Sequence, residues 1–196
     1  MLHKRILILL MISASIAGCT CNPPVASTLN VTLRPQLTSM WCWAASGQMV
    51  MEFLGHGVDQ PTQANNRFGR TDCGNSPTPT ACINGGWPEF GRYGFSFNTT
   101  TDAALSWADV RQQIHCKKKP FAFTWHWNGG GGHMMVAIGY VTIGSTNYVV
   151  LNDPLPVPSA GVTGGTQTVI TYAAYVSGNG YTHWDDYYNV TYTGGD

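Results

Sequence analysis

Apolar residues recur along this chain with two different periods, and the change of period divides it. Between Ser39 and Gly55 they fall at Trp43, Ala44, Met49, Val50, Phe53 and Leu54, the spacing of a largely buried helix. Ser39 is placed to cap that helix and Gly55 to end it. Thr62–Phe68 reads as a second helix, and Trp87–Tyr93 as a short one after a loop over Asp72–Gly86. Ser106–Cys116 reads as a helix capped by Ser106, with Trp107, Val110 and Ile114 on one face. Strand patterns then take over at Phe121–Trp127, His133–Tyr140, Tyr148–Leu151 and Thr166–Tyr172. Earlier, Val31–Leu33 reads as an edge strand, after a linker containing Pro23-Pro24. Helices followed by strands predict an α+β fold.

The chemistry concentrates at the boundaries of these elements. Cys42 lies between Trp41 and Trp43 at the start of the first helix, six residues after Gln36. Unpaired N–H groups and the dipole at a helix N-terminus favour a thiolate. A glutamine just upstream supplies an amide donor for an oxyanion. Further on, Gly129-Gly130-Gly131-Gly132-His133 puts a histidine at the mouth of an apolar strand, and Tyr148-Val149-Val150-Leu151-Asn152-Asp153 ends the next strand on a carboxylate. With a turn at Gly144–Asn147 these two strands form a hairpin. The start of one then lies near the end of the other, which makes His133 and Asp153 neighbours. The carboxylate would orient the imidazole, and the imidazole would deprotonate Cys42. The four glycines before His133 suit a close approach of a substrate backbone. His126, between Trp125 and Trp127, is the nearest rival base, but it lacks a following apolar strand and an acid partner.

In its W-C-W-A-A, G-H-x-x-V-x-x-G-Y and N-D-P motifs, and in the order Gln, Cys, His, Asp, the chain resembles bacterial papain-like cysteine peptidases. It is similar in pattern to plant-pathogen effector proteases and bacteriocin-leader peptidases. Ile170-Thr171-Tyr172 and Thr182-His183-Trp184 also fit that group. The resemblance runs from about Leu33 to Tyr192. It implies a papain-like α+β plan, with a helix carrying the nucleophile packed on an antiparallel sheet carrying His and Asp. It also implies that Gln36 is the oxyanion donor, Cys42 the nucleophile, His133 the base and Asp153 the orienting acid. Plant papains use an asparagine as third member, and Asn152 stands beside Asp153; the acid before proline is the choice that fits the bacterial group.

The first residues carry a different message. Lys4 and Arg5 precede a short apolar run, Ile6–Ile12, and Ile16-Ala17-Gly18-Cys19 matches a bacterial lipoprotein cleavage box. The run is too short to cross a bilayer comfortably. Residues 1–18 therefore read as a signal peptide, Cys19 as a lipidation site and 19–32 as an anchored tether. Residues 33–196 form one peptidase domain. That places the protein in the cell envelope, at the outer membrane if the cell is Gram-negative, with plain secretion as the alternative.

Composition agrees with export. Charged residues are 10% of the chain, aromatics 12%, and acids and bases balance at 10 each. A nucleic-acid partner needs a basic face, and the basic run Lys117-Lys118-Lys119 reads instead as a solvated loop. Of six cysteines, Cys19 and Cys42 have assigned tasks. Cys73 and Cys82 bracket a polar loop and are the leading disulfide candidates, with Cys21 and Cys116 remaining. No cysteine or histidine pair has zinc-ligand spacing, and thiol catalysis calls for no metal or organic cofactor.

The expected function is hydrolysis of peptide bonds in a peptide or protein substrate. The same residues would serve acyl transfer of the transglutaminase kind or cell-wall amide hydrolysis. A non-enzymatic module with a vestigial triad is the remaining class, and the complete Gln/Cys/His/Asp set argues against it.

Overall fold

A computed structural model describes residues 21–194. Among these residues no helix is long and apolar enough to cross a membrane. Cys19 and the signal segment lie outside the described residues.

The described residues form eight strands and four α-helices. Strand β1 (Ala26–Thr28) is followed by helices α1 (Cys42–Phe53) and α2 (Gln60–Phe68), strand β2 (Phe95–Thr99) and helix α3 (Trp107–Arg111). Helix α3 runs on into a wider π-type turn over Gln112–Cys116. Then come β3 (Phe121–Trp127), β4 (Gly132–Ile143), β5 (Thr146–Asp153) and β6 (Thr166–Thr171). Helix α4 (Tyr172–Val176), β7 (Ser177–Gly178) and β8 (Tyr181–Tyr192) complete the chain. All pairings are antiparallel, in the order β2-β8-β3-β4-β5-β6, with β1 added to β4 and β7 to β8.

The sheet has apolar layers on both faces, and β4 shows why. Side chains along a strand alternate between faces. Met134, Val136 and Ile138 join the layer containing Trp41, Trp43, Met49 and Val50 of the α1 region. Met135 and Ala137 join the layer containing Val110, Ile114 and Tyr175. The β4–β5 register shifts between Ala137 and Gly139. Such a bulge changes the phase of the alternation, and Tyr140 accordingly falls in the second layer. A strand covered on both faces reads as the continuous apolar run seen in the sequence.

The helix and strand expectations hold in outline and fail at several boundaries. Ser39 does not cap α1. The cap position is Trp41, with no side-chain cap hydrogen bond, because Ser39 and Met40 turn before the helix begins. Helix α2 starts earlier than expected, at Gln60; the Asp59 carboxylate accepts the Thr62 N–H at 2.7 Å, and Pro61 occupies the first turn. Ser106 does cap α3, accepting the Asp109 N–H at 3.2 Å. Val31–Leu33 is not a strand. The strand lies upstream, where Ala26–Thr28 pairs with Val141–Gly139. Only Phe90–Tyr93 of the expected helix 87–93 turns, as a 3-10 helix. Strands β2 and β8 carry mixed polar and aromatic residues and were not anticipated as strands.

The expected tether over residues 19–32 is fastened to the fold at several points along its described part. Cys21 is disulfide-bonded to Cys116. The Arg111 guanidinium donates to the Pro23 carbonyl at 2.5 Å, and the Tyr140 hydroxyl donates to the Pro24 carbonyl at 3.2 Å. The Leu29 N–H donates to the Ile138 carbonyl at 2.8 Å. Backbone pairing to β4 gives this segment partners that its composition does not advertise.

Candidate active site

Cys42 is the first residue of α1 and a free, partly exposed thiol. The Ala45 N–H is the first to find its carbonyl within the helix, that of Trp41 at 2.9 Å. The N–H groups before it belong to the open end of the helix, where negative charge is favoured. Both flanking tryptophans are buried and hydrogen-bonded. The Trp41 indole donates to the Cys82 carbonyl at 2.7 Å, and the Trp43 indole to the Asn84 carbonyl at 3.2 Å. These bonds fasten the cysteine helix to the end of the loop closed by the Cys73–Cys82 disulfide and to the residues just after it. Asp72, Cys73 and Cys82 lie within 4.8 Å of one another, but the disulfide occupies both sulfurs, leaving no thiolate ligands there.

His133 and Asp153 meet across the β4–β5 hairpin. The His133 Nε2–Asp153 Oδ1 distance is 2.7 Å. A carboxylate only accepts, so Nε2 carries the proton and Nδ1 is left for the thiol. Asp153 Oδ1 also accepts the Leu155 N–H at 2.8 Å, which fixes the carboxylate in a local turn. Asn152 faces elsewhere, as strand alternation requires. It is fully buried, donates to the Val31 carbonyl at 3.0 Å and accepts from Gln167 at 3.0 Å. The asparagine alternative is therefore remote from the imidazole by its bonding.

The electrostatics of His133 combine opposing effects. Burial alone would lower its pKa. Hydrogen bonding and charge at Asp153 and Cys42 outweigh burial and raise it to about 9.

Gln36 is buried, and two bonds hold it. Its N–H donates to the Pro154 carbonyl at 2.9 Å, and its Nε2 donates to the Thr38 carbonyl at 2.8 Å. An amide nitrogen has two protons, so one remains for a ligand. Gln36, Cys42 and His133 line a common cleft of about 370 Å³. Its walls also include Met40, Trp87, Trp127, Met134, Leu155 and Trp184. Trp87 and Trp184 meet edge-to-face, with ring centroids 4.6 Å apart. Arg67, from the end of α2, adds a cation to the cleft wall and lies 5.4 Å above the Trp43 ring.

The glycines before His133 have a more local explanation than substrate approach. Gly130 and Gly131 take φ values of 92° and 75°, which only glycine adopts easily. A Cβ on Gly132 would collide with the Trp125 carbonyl oxygen. The run is demanded by the tight β3–β4 connection, although Gly131 and Gly132 also border the cleft. His126 is exposed and packs on Trp184 at a centroid distance of 4.6 Å. His183 is buried on the other side of that strand region, with Nδ1 donating to the Tyr175 carbonyl at 2.9 Å. His115 sits in the last turn after α3, with Nδ1 3.2 Å from the Ser27 hydroxyl.

Arg67, Trp87 and Trp184 escaped the sequence reading as cleft residues. Trp184 carried a signal, since it lies in a stretch similar to the papain-like group. Arg67 carried none, because a lone arginine at a helix end ordinarily faces solvent.

A helix-borne cysteine facing an antiparallel sheet across a cleft is the papain-like plan, and a solved structure shares the fold. It is a mite allergen structure from work on antibody cross-reactivity between Blo t 1 and Der p 1. It has 12% identity and a TM-score of 0.54, covering 90% of this chain and 74% of that one. Digestive procathepsin L 3 of the Tenebrio molitor larval midgut has 13% identity and a TM-score of 0.48, covering 88% of this chain and 72% of that one. A search of curated proteins found no match. Residues 28–190 match the Peptidase_C39 like family. The chain belongs to that family and is a papain-like cysteine peptidase.

Proposed function

We propose that this protein is an exported, lipid-anchored peptidase that cuts peptide bonds with Cys42, His133, Asp153 and Gln36. The observation that carries the reading is the 2.7 Å His133–Asp153 bond, in a cleft that Cys42 shares. The Cys42 sulfur attacks the scissile carbonyl, forming the S–C bond and an oxyanion. The free amide proton of Gln36 and the Cys42 N–H stabilise that oxygen. His133 gives its Nδ1 proton to the departing amine as the C–N bond breaks. It then takes a proton from water, which attacks the thioester and releases the acid and the thiolate. Asp153 holds Nε2–H in place and stabilises the imidazolium. The substrate is a peptide or protein segment with apolar side chains, which suit walls of Trp, Met and Leu.

The anchor reading is supported by the sequence Ile16-Ala17-Gly18-Cys19 after a short apolar run. It makes 1–18 a signal peptide and places the protein in the cell envelope. The domain then begins before residue 33, since β1 belongs to the sheet.

Digestion of a peptide library in heavy-oxygen water, with mass analysis, tests the reaction. Hydrolysis puts one heavy oxygen on each new C-terminus. Products joined to an added amine, with no labelled acid, would mean acyl transfer instead.

A further inference from the structure

We propose that Lys117, Lys118 and Lys119 form a membrane-docking surface for anionic lipid headgroups, placed beside the lipid anchor by the Cys21–Cys116 disulfide. The anchor itself rests on the reading above; the charge-dependent binding of the surface does not.

The disulfide brings two distant parts of the chain together. Cys21 and Cys116 have Cα atoms 5.8 Å apart and are 95 residues apart in sequence. Lys117 follows Cys116 directly, and Cys19 precedes Cys21 by two residues. Two residues of chain reach at most about 7 Å. A lipid on Cys19 therefore enters the bilayer within a short distance of the three lysines. The Gln112 amide and the Arg111 guanidinium hold the same segment through the carbonyls of Cys21, Pro23 and Pro24.

The cationic groups there are uncompensated. Among the described residues, ion pairs use Arg34, Arg67, Arg70 and Arg92 and two histidines, but none of the three lysines. Lys117 and Lys119 donate to neutral oxygens of Asn189 and Thr191 on β8. Those bonds pre-arrange the charges on the rim of the sheet. Burial, and then the charge of Lys117, lower the Lys119 pKa. Lys118 is exposed and takes a left-handed φ of 56°. Closely placed lysines without acidic partners favour an anionic surface.

The sheet sets the orientation. The lysines precede the start of β3, and Trp127 at its other end lines the cleft. Seven residues of strand span roughly 20 Å. β8 gives the same direction, because Trp184 lines the cleft and Thr191 holds Lys119. Docking by the lysines leaves the cleft at the end of the sheet away from the headgroups, open to envelope proteins. One lipid chain holds weakly, and a basic patch is a recognised second contribution.

The test uses the mature chain from residue 19 with Cys19→Ser and its disulfides oxidised, so that no lipid contributes. It is sedimented with phosphatidylcholine vesicles, with or without about a third phosphatidylglycerol. The expected result is at least tenfold stronger binding to the anionic vesicles, abolished at about 0.5 M salt. Lys117→Gln/Lys118→Gln/Lys119→Gln should remove it. If that variant melts early, Lys118→Glu replaces it and should weaken binding at least fivefold. Equal binding to both vesicles, insensitivity to salt, or unchanged binding by the variants would overturn the proposal. So would retention on duplex DNA with none on vesicles. Fatty-acid labelling of wild type tests the anchor separately.

Discussion

The Gln36 N–H donates to the Pro154 carbonyl at 2.9 Å, which ties the segment carrying the amide to the strand end carrying Asp153. The two sides of the proposed catalytic machinery are thus held by one backbone bond. Gln36→Glu keeps that bond and the side-chain shape while removing the amide donor. It should lower kcat by about 10²–10³-fold with KM nearly unchanged. Steady-state kinetics on one peptide substrate check this; a loss confined to KM would assign Gln36 to substrate binding.

Asp153 and Asn152 should separate chemistry from stability. Asp153→Asn is expected to cut kcat by about 10⁴-fold, because an amide can stabilise the wrong tautomer and carries no charge. Asn152→Ala removes a buried side chain bonded to Val31 and Gln167. It should cost about 1–3 kcal/mol of stability and leave kcat within a few-fold. Melting curves and kinetics on both variants decide. Loss of turnover in a folded Asn152→Ala would revive the plant-like triad.

The raised pKa of His133 has two consequences. Activity that needs the imidazolium should fall on the alkaline side as pH passes about 9. The same shift acts on stability. A histidine whose folded pKa exceeds its unfolded value of 6.5 contributes fully below that value and loses its contribution as pH rises through about 9. Denaturation midpoints should therefore decline between these limits. Asp153→Asn removes the strongest contact raising the pKa, so its alkaline limb should move to lower pH. A limb that stays in place would mean another group sets it.

The Cys73–Cys82 disulfide should matter to the cleft as well as to the fold. It closes the loop that ends at Cys82, and the carbonyls of Cys82 and of Asn84 just beyond it anchor Trp41 and Trp43. Cys73→Ser/Cys82→Ser should cost about 2–3 kcal/mol by the loop-entropy relation. It should raise KM more than it lowers kcat, because Gly85, Gly86 and Trp87 follow as cleft wall. Equal KM values would show that the tryptophans alone hold this wall.

The residues brought together in the cleft were legible because their chemistry sits at element boundaries. Cys42 opens a helix, His133 lies at the start of a strand, and Asp153 closes the next. Strand ladders Phe121–Trp127 and Thr166–Thr171 were equally plain in their patterns. The N-terminal segment was not, since Ala26-Ser27-Thr28 has no apolar alternation and gains its place from backbone pairing to β4. The start of α1 was obscured by Ser39, a good cap that the turn at Met40 keeps two residues away from the helix. Strand β8 was hidden because its residues alternate between cleft, core and buried polar network, as with Trp184, Val190 and Asp186. Asp186 accepts the Tyr175 hydroxyl at 2.6 Å and the Leu105 N–H at 2.7 Å. An internal acid of that kind cannot be told from a solvated one by sequence.

The central claim is that Cys42 is the nucleophile. The most direct measurement is peptide turnover by Cys42→Ala beside wild type, with a thiol-directed active-site probe mapped by mass spectrometry. The account predicts a loss of at least about 10³-fold, an unchanged melting temperature, and probe attachment at Cys42 that disappears in the variant. Equal turnover in Cys42→Ala and wild type would contradict it.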